Sequence, residues 1–220
     1  GGLETCGGTE GRQPAAAAAP ADADEEFGEF VLSAADPPPH LASCPDPIGG
    51  SDPTAIPDLI ARLGGMDEAE VSSAAQQLET LSLDESNSQA ILVAGGIQDI
   101  VALFGPRVPG AAGGCELRTS AAATVWNLSA TLDPAVCEAI CAAGAISKLV
   151  EMLQDDPASQ AATSAAGTLW YLSVDHSEKI CAAGGLETLK SFREQAVDPQ
   201  AIEYATSAQD NIDAYRRGSF

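Results

Sequence analysis

Six cysteines and two histidines are the residues of this 220-residue chain best suited to nucleophilic or metal chemistry. They are Cys6, Cys44, Cys115, Cys137, Cys141 and Cys181, with His40 and His176. A structural zinc site calls for close pairs such as C-x-x-C, and none occurs; neither histidine has a second ligand at metal spacing. Cys137 and Cys141 lie four apart, so they share one face of a helix and read as small buried hydrophobes, with a metal or disulfide role as the other reading. Thiols in this number without a disulfide framework predict a reducing compartment, hence the cytoplasm or the nucleus. His176 follows Asp175, but no nucleophile can be placed beside it, and it reads as a solvated histidine in a short loop. A G-x-x-x-x-G-K-[ST] phosphate loop and a G-x-S-x-G elbow are both missing. The carboxylates read as a solvated face, with none in an evident apolar pocket suited to acid catalysis. No catalytic residue, metal or cofactor is therefore expected, and the chain is not expected to be an enzyme.

What must position these side chains is read from the composition. Thirty-two Asp and Glu face ten Lys and Arg, a formal charge of −22. Such a chain cannot grip nucleic acid or anionic lipid by bulk electrostatics. The apolar fraction is 45% but aromatics only 5%, so Ala and Leu carry the burial, which favours close-packed helices. No apolar run approaches the length of a membrane span, and no signal-peptide pattern opens the chain. It starts Gly1-Gly2 without Met, as a fragment or trimmed product would.

The chain divides near residue 53. Residues 1–53 are rich in Ala, Gly and Pro, carry ten acids against the single base Arg12, and are expected to be disordered. Within them residues 25–32 interleave acids with Phe27, Phe30, Val31 and Leu32, a pattern that can fold onto a partner's groove or remain a transient cluster. Residues 54–217 repeat. One block opens at Val71, Arg118, Ala162 and Ala205, offsets of 47, 44 and 43, and in two copies it contains Val125-Trp126-Asn127-Leu128-Ser129 and Leu169-Trp170-Tyr171-Leu172-Ser173. A second block opens at Ile56, Ile97, Ile146 and Leu186, and its last three copies follow Ala94-Gly95-Gly96, Ala143-Gly144-Ala145 and Ala183-Gly184-Gly185. Each unit reads as a short helix, a Gly turn, a second helix, a loop and a longer third helix. No such trio buries its apolar faces alone, and stacked neighbours do, which defines an all-α solenoid. Residues 105–116 read as an insertion between the second and third helices of one unit, and residues 218–220 as a tail.

A period of 43–47 residues, three helices per unit and Ala-Ala-x-x-Leu-x-x-Leu-Ser in the third helix resemble the armadillo repeat family, with β-catenin and the adenomatous polyposis coli repeats nearest in flavour. The resemblance covers about residues 54–217. It implies a right-handed superhelix of about three full repeats, a partial first and a capping last one, whose third helices line a concave groove that binds peptides or partner domains. In many members an Asn near the end of the third helix bonds the peptide backbone. That Asn maps onto Asn127, and its equivalents on Thr80, Tyr171 and Ala214, so the asparagine ladder of importin-α is absent. The importin-α tryptophan maps onto Ala123 and Gly167, so nuclear-signal binding is rejected.

Helical phase assigns rows to the groove. They are Thr119, Ala123 and Asn127 in the second copy, Thr163, Gly167 and Tyr171 in the third, Ser72, Gln76 and Thr80 in the first, and Thr206, Asp210 and Ala214 in the fourth. The small middle row would leave a trench. Trp126 and Trp170 either floor that trench or pack between repeats. With Glu79, Asp210 and Asp213 at its ends, the groove suits a neutral or basic protein segment with an apolar anchor, and not an acidic one. The function expected is a non-catalytic protein-binding scaffold, with no nucleic acid and no membrane insertion. The rivals are a structural spacer or cap within a longer array, and a module whose own residues 25–32 occupy the groove. Partner and oligomeric state are not encoded in these patterns.

Overall fold

The computed structural model describes residues 53–105 and 114–218; all but the last residue of the segment 1–53 expected to be disordered, the 25–32 stretch within it and most of the insertion lie outside them. The described residues form helices and connecting turns, with no strand among them. In chain order the α-helices are α1 (Ile56–Leu63), α2 (Glu68–Leu81), α3 (Ser88–Val93), α4 (Gly96–Ala102), α5 (Gly114–Ala130), α6 (Pro134–Ala142), α7 (Ala145–Asp155), α8 (Gln160–Ala182), α9 (Gly185–Gln195) and α10 (Pro199–Arg217). Helix α5 already includes Gly114, Cys115 and Glu116, so the insertion ends earlier than the sequence pattern places it.

The repeating turns have a repeating cause. Gly95, Gly144 and Gly184 each stand between a first and a second helix with φ of 74°, 74° and 76°, a left-handed conformation that glycine adopts without a Cβ penalty. Third helices start on side-chain caps: Asp67, Ser159 and Asp198 accept hydrogen bonds from the first free amides of α2, α8 and α10, which ties down otherwise orphaned donors. Pro57, Pro134 and Pro199 sit in first turns, where the missing amide hydrogen costs nothing. Gly218, with φ 72°, closes α10 after Arg216 and Arg217.

His176 corrects one expectation. It lies in no loop but inside α8, at φ −123° and ψ 26°, where the third helix of one unit bends directly into the first helix of the next. The Ser177 hydroxyl donates to the Ser173 carbonyl across the bend at 2.6 Å. With α8 divided there, the second, third and fourth units are complete trios, and the first is represented by α1 and α2. Third helix packs on third helix, α2 on α5, α5 on α8 and α8 on α10, while second helices cover them from behind.

The stacking wall is built of small residues. Ala121, Ala122, Ala161, Ala162, Ala165, Ala166, Ala201, Ala205 and Ala208 are all buried, so helix axes approach closely and Val125, Leu128, Leu169 and Leu172 interlock between them. One apolar cluster runs unbroken from Ile56 to Ile212.

Candidate functional site

The wall formed by α2, α5, α8 and α10 is the surface to which the sequence assigns binding, and its hydrogen bonds fix the register of the units. Asn127 Nδ2 donates to the Ser82 hydroxyl at 3.0 Å, and Ser82 in turn donates to the Glu79 carbonyl at 2.7 Å. The same relay recurs at the other end: Asn211 Nδ2 donates to Ser173 Oγ at 2.8 Å, and Ser173 donates to the Trp170 carbonyl at 2.6 Å. Asn211, not Ala214, therefore stands where Asn127 stands. The fourth copy is offset from the third by 40 residues rather than 43, and its burial agrees: Ala201, Tyr204, Ala205, Ala208, Gln209 and Ile212 lie inside as Ala161, Ser164, Ala165, Thr168, Leu169 and Leu172 do. The shorter period arises because α8 enters the fourth unit without a connecting loop, which shifts every later residue by about one helical turn.

Once the register is corrected, the rows separate by direction. Glu79, Trp126, Trp170 and Asp210 share one row, which points toward the following third helix. Trp126 is 2% exposed. A Cβ on Gly167 would stand 2.6 Å from its Nε1, so the indole lies directly on the α8 backbone. It also meets Tyr204 of α10 edge-on, at 5.2 Å between ring centroids. Trp170 stacks on Tyr204 at 5.5 Å and on its neighbour Tyr171 at 4.8 Å. These four rings bind three third helices together.

The expected trench is consequently filled. Ala123, Trp126, Thr163 and Gly167 are buried and do not line an open channel; Gly167 of this small middle row receives the indole of Trp126 from the preceding unit. Gln76, Thr80 and Asp210 are exposed, for a different reason from the one assigned to them. No described helix covers the rear of α2 or the front of α10, so these residues sit on the ends of the stack. The part of the predicted set that is half-exposed in the middle of the wall is Thr119, Asn127, Trp170 and Tyr171, from α5 and α8. Thr119 turns its hydroxyl back to the Cys115 carbonyl. Burial raises the Tyr171 phenol above its ordinary value, because desolvation disfavours the phenolate. Serine relays and the four-ring cluster were missed in the sequence; the recurring Leu-Ser at 81–82, 128–129 and 172–173 was the available signal.

Other chemistry-bearing residues do not converge. Cys137 is buried and Cys141 half-buried on α6, and burial pushes both thiols up to about 11, which holds them protonated and unreactive. Among the described residues no group of three His, Cys, Asp or Glu could hold a metal ion, and no helix is long and apolar enough to cross a membrane. Bases are largely committed: Arg118 to Asp155 at 3.0 Å and Lys179 to Glu138 at 2.8 Å, while Lys148 Nζ donates to the Val101 carbonyl at the end of α4.

Residues 133–174 match the model of the Armadillo/beta-catenin-like repeat. The matched stretch runs from the Asp133 cap of α6 to the last turn of the third helix before the His176 bend, one whole three-helix unit. The chain thus carries an armadillo repeat within a stack of armadillo-like units. Among solved structures, an engineered protein from the Northeast Structural Genomics Consortium is 25% identical with a TM-score of 0.65, over 73% of this chain and 63% of its own. A second engineered protein from that consortium is also 25% identical, with a TM-score of 0.64, over 72% of this chain and 37% of its own. This chain therefore spans less than two thirds of either. No curated protein matches the sequence.

Proposed function

We propose that the chain is a non-catalytic scaffold that holds a partner polypeptide along the wall of third helices. Armadillo repeats are protein-binding scaffolds as a class, and the observation that carries the reading to this wall is Tyr171. It is a half-exposed aromatic stacked on the ring of Trp170, and Thr119 and Asn127 of the neighbouring helix α5 are half-exposed as well. A pre-oriented amphipathic ring loses little entropy on contact and commonly anchors interfaces. The surrounding acidity, 32 acids to 10 bases in the chain, favours a neutral or basic segment with an apolar side chain for this anchor. A reducing, cytoplasmic or nuclear setting fits the free thiols.

The test is selection of random 12-residue peptides on the full chain, followed by measurement of the enriched peptides against Tyr171→Ser and Thr119→Asp variants. Basic or neutral peptides carrying an apolar residue should emerge, and both variants should weaken them with helicity unchanged. Enrichment of acidic peptides, or binding indifferent to both changes, would reject the reading. The burial of Ala123, Trp126, Thr163 and Gly167 favours the second reading, a spacer or cap inside a longer array, which predicts that no peptide is enriched at this wall.

A further inference from the structure

Glu79 occupies the slot that Trp126 and Trp170 occupy in the next two units. All three follow an inward apolar residue (Leu78, Val125, Leu169) and come two before a buried leucine. At the α5–α8 and α8–α10 junctions this slot holds an indole locked against Gly167 or Tyr204. At the α2–α5 junction it holds a half-buried carboxyl whose partner is the Ser120 hydroxyl of α5. The rest of that junction includes the hydrogen bond from Asn127 to Ser82. We propose that Glu79 makes the α2–α5 junction the one that opens before its neighbours and the one that protons close, so that loosening of the α1–α2 unit frees the Asn127 amide onto the wall.

The physical basis is the cost of taking an ionised carboxylate out of water with one neutral partner. Helices α1 and α5 pack on α2, and their charged groups are Asp58, Arg62, Glu116 and Arg118. None of them offsets that cost: burial dominates, only Ser120 opposes it, and Arg118 is turned to Asp155 on α7. Burial accordingly holds the Glu79 carboxyl above its ordinary value. The folded unit binds the proton more tightly than the unfolded one, so its stability is greatest at pH below the ordinary glutamate value and falls as pH rises through the raised one.

Hydrogen exchange of the full chain, corrected for intrinsic amide rates, tests this at pH 5 and pH 7.5. Amides of α1 and α2 should open several-fold more often at pH 7.5, while those of α8 and α10 hold. Glu79→Gln should remove the pH difference, and Glu79→Leu should slow opening at both values. Persistence of the pH difference in Glu79→Gln, or equal protection of α2 and α10 in the parent, would overturn the proposal.

Discussion

Replacing Gly167 by Ala probes the contact on which the stacking depends. On helix propensity alone this change stabilises a mid-helix site by about 1 kcal/mol. Here the new Cβ would lie 2.6 Å from Trp126 Nε1, 2.7 Å from Cε2 and 3.2 Å from Cδ1, distances at which something must move. The indole is 2% exposed and its edge meets Tyr204, so it has no empty rotamer to retreat into. Overpacking of this kind costs about 1–3 kcal/mol. The two effects together leave a net loss of up to about 2 kcal/mol, or a few degrees in Tm for a domain of this size.

The decisive assay is a double-mutant cycle by urea denaturation. In a Trp126→Leu background the indole is gone, and the same Gly167→Ala change should turn from destabilising to stabilising, by about the propensity value. A Gly167→Ala protein more stable than the parent, with near-ultraviolet dichroism unchanged, would refute the idea that Gly167 is a socket for the preceding unit's indole.

Other consequences follow from the same packing. Gln209 is 5% exposed with no partner for its buried Oε1, at the position where the other units carry Leu78, Val125 and Leu169; Gln209→Leu should raise stability by about 1–3 kcal/mol in the same denaturation assay. Asn211→Ala and Ser173→Ala should each cost about 1 kcal/mol and show a coupling energy in a double-mutant cycle, because Ser173→Ala leaves the buried Asn211 amide without its acceptor and Asn211→Ala takes a donor from the buried Ser173 oxygen. Cys115 is exposed whereas Cys137 and Cys141 have thiols pushed up to about 11; iodoacetamide at pH 8 followed by peptide mapping should modify Cys115 long before that pair, whose labelling should grow only as the pH approaches 11.

The repeat and its turns are legible in the sequence because each is imposed by local chemistry that recurs. Left-handed glycine at 95, 144 and 184, acidic or hydroxyl caps before third helices, and alanines at close crossings leave marks a single unit would hardly reveal. The exposed surface is legible less well, since it depends on what neighbouring units cover. Helical phase places Gly167 on an open face correctly for an isolated helix; a tryptophan 41 residues earlier then closes that face. Asp210 misleads in two ways. Its register is displaced by the continuous α8, which no turn residue at 174–176 announces, and its exposure comes from lying beyond the last described junction.

The corrected rows give the stack a direction, and that bears on what the wall can recognise. The two interior units each project a large ring forward, Trp126 of α5 onto Gly167 and Trp170 of α8 onto Tyr204, and amides run backward from α5 and α10, Asn127 to Ser82 and Asn211 to Ser173. Two faces of α5 and of α8 are thereby consumed by stacking, and what stays open on them is the strip between, where Thr119, Asn127 and Tyr171 are half-exposed. Asparagine amides already engaged with serines are poorly placed to clasp a peptide backbone along the whole wall. Under the proposed scaffold function, recognition on such a strip rests on a few side-chain anchors, with Tyr171 foremost, and any device that releases an amide from its serine would add a polar anchor to them. The α2–α5 junction is where that release comes most easily, since it alone among the three third-helix junctions described holds a carboxylate where the others hold an indole.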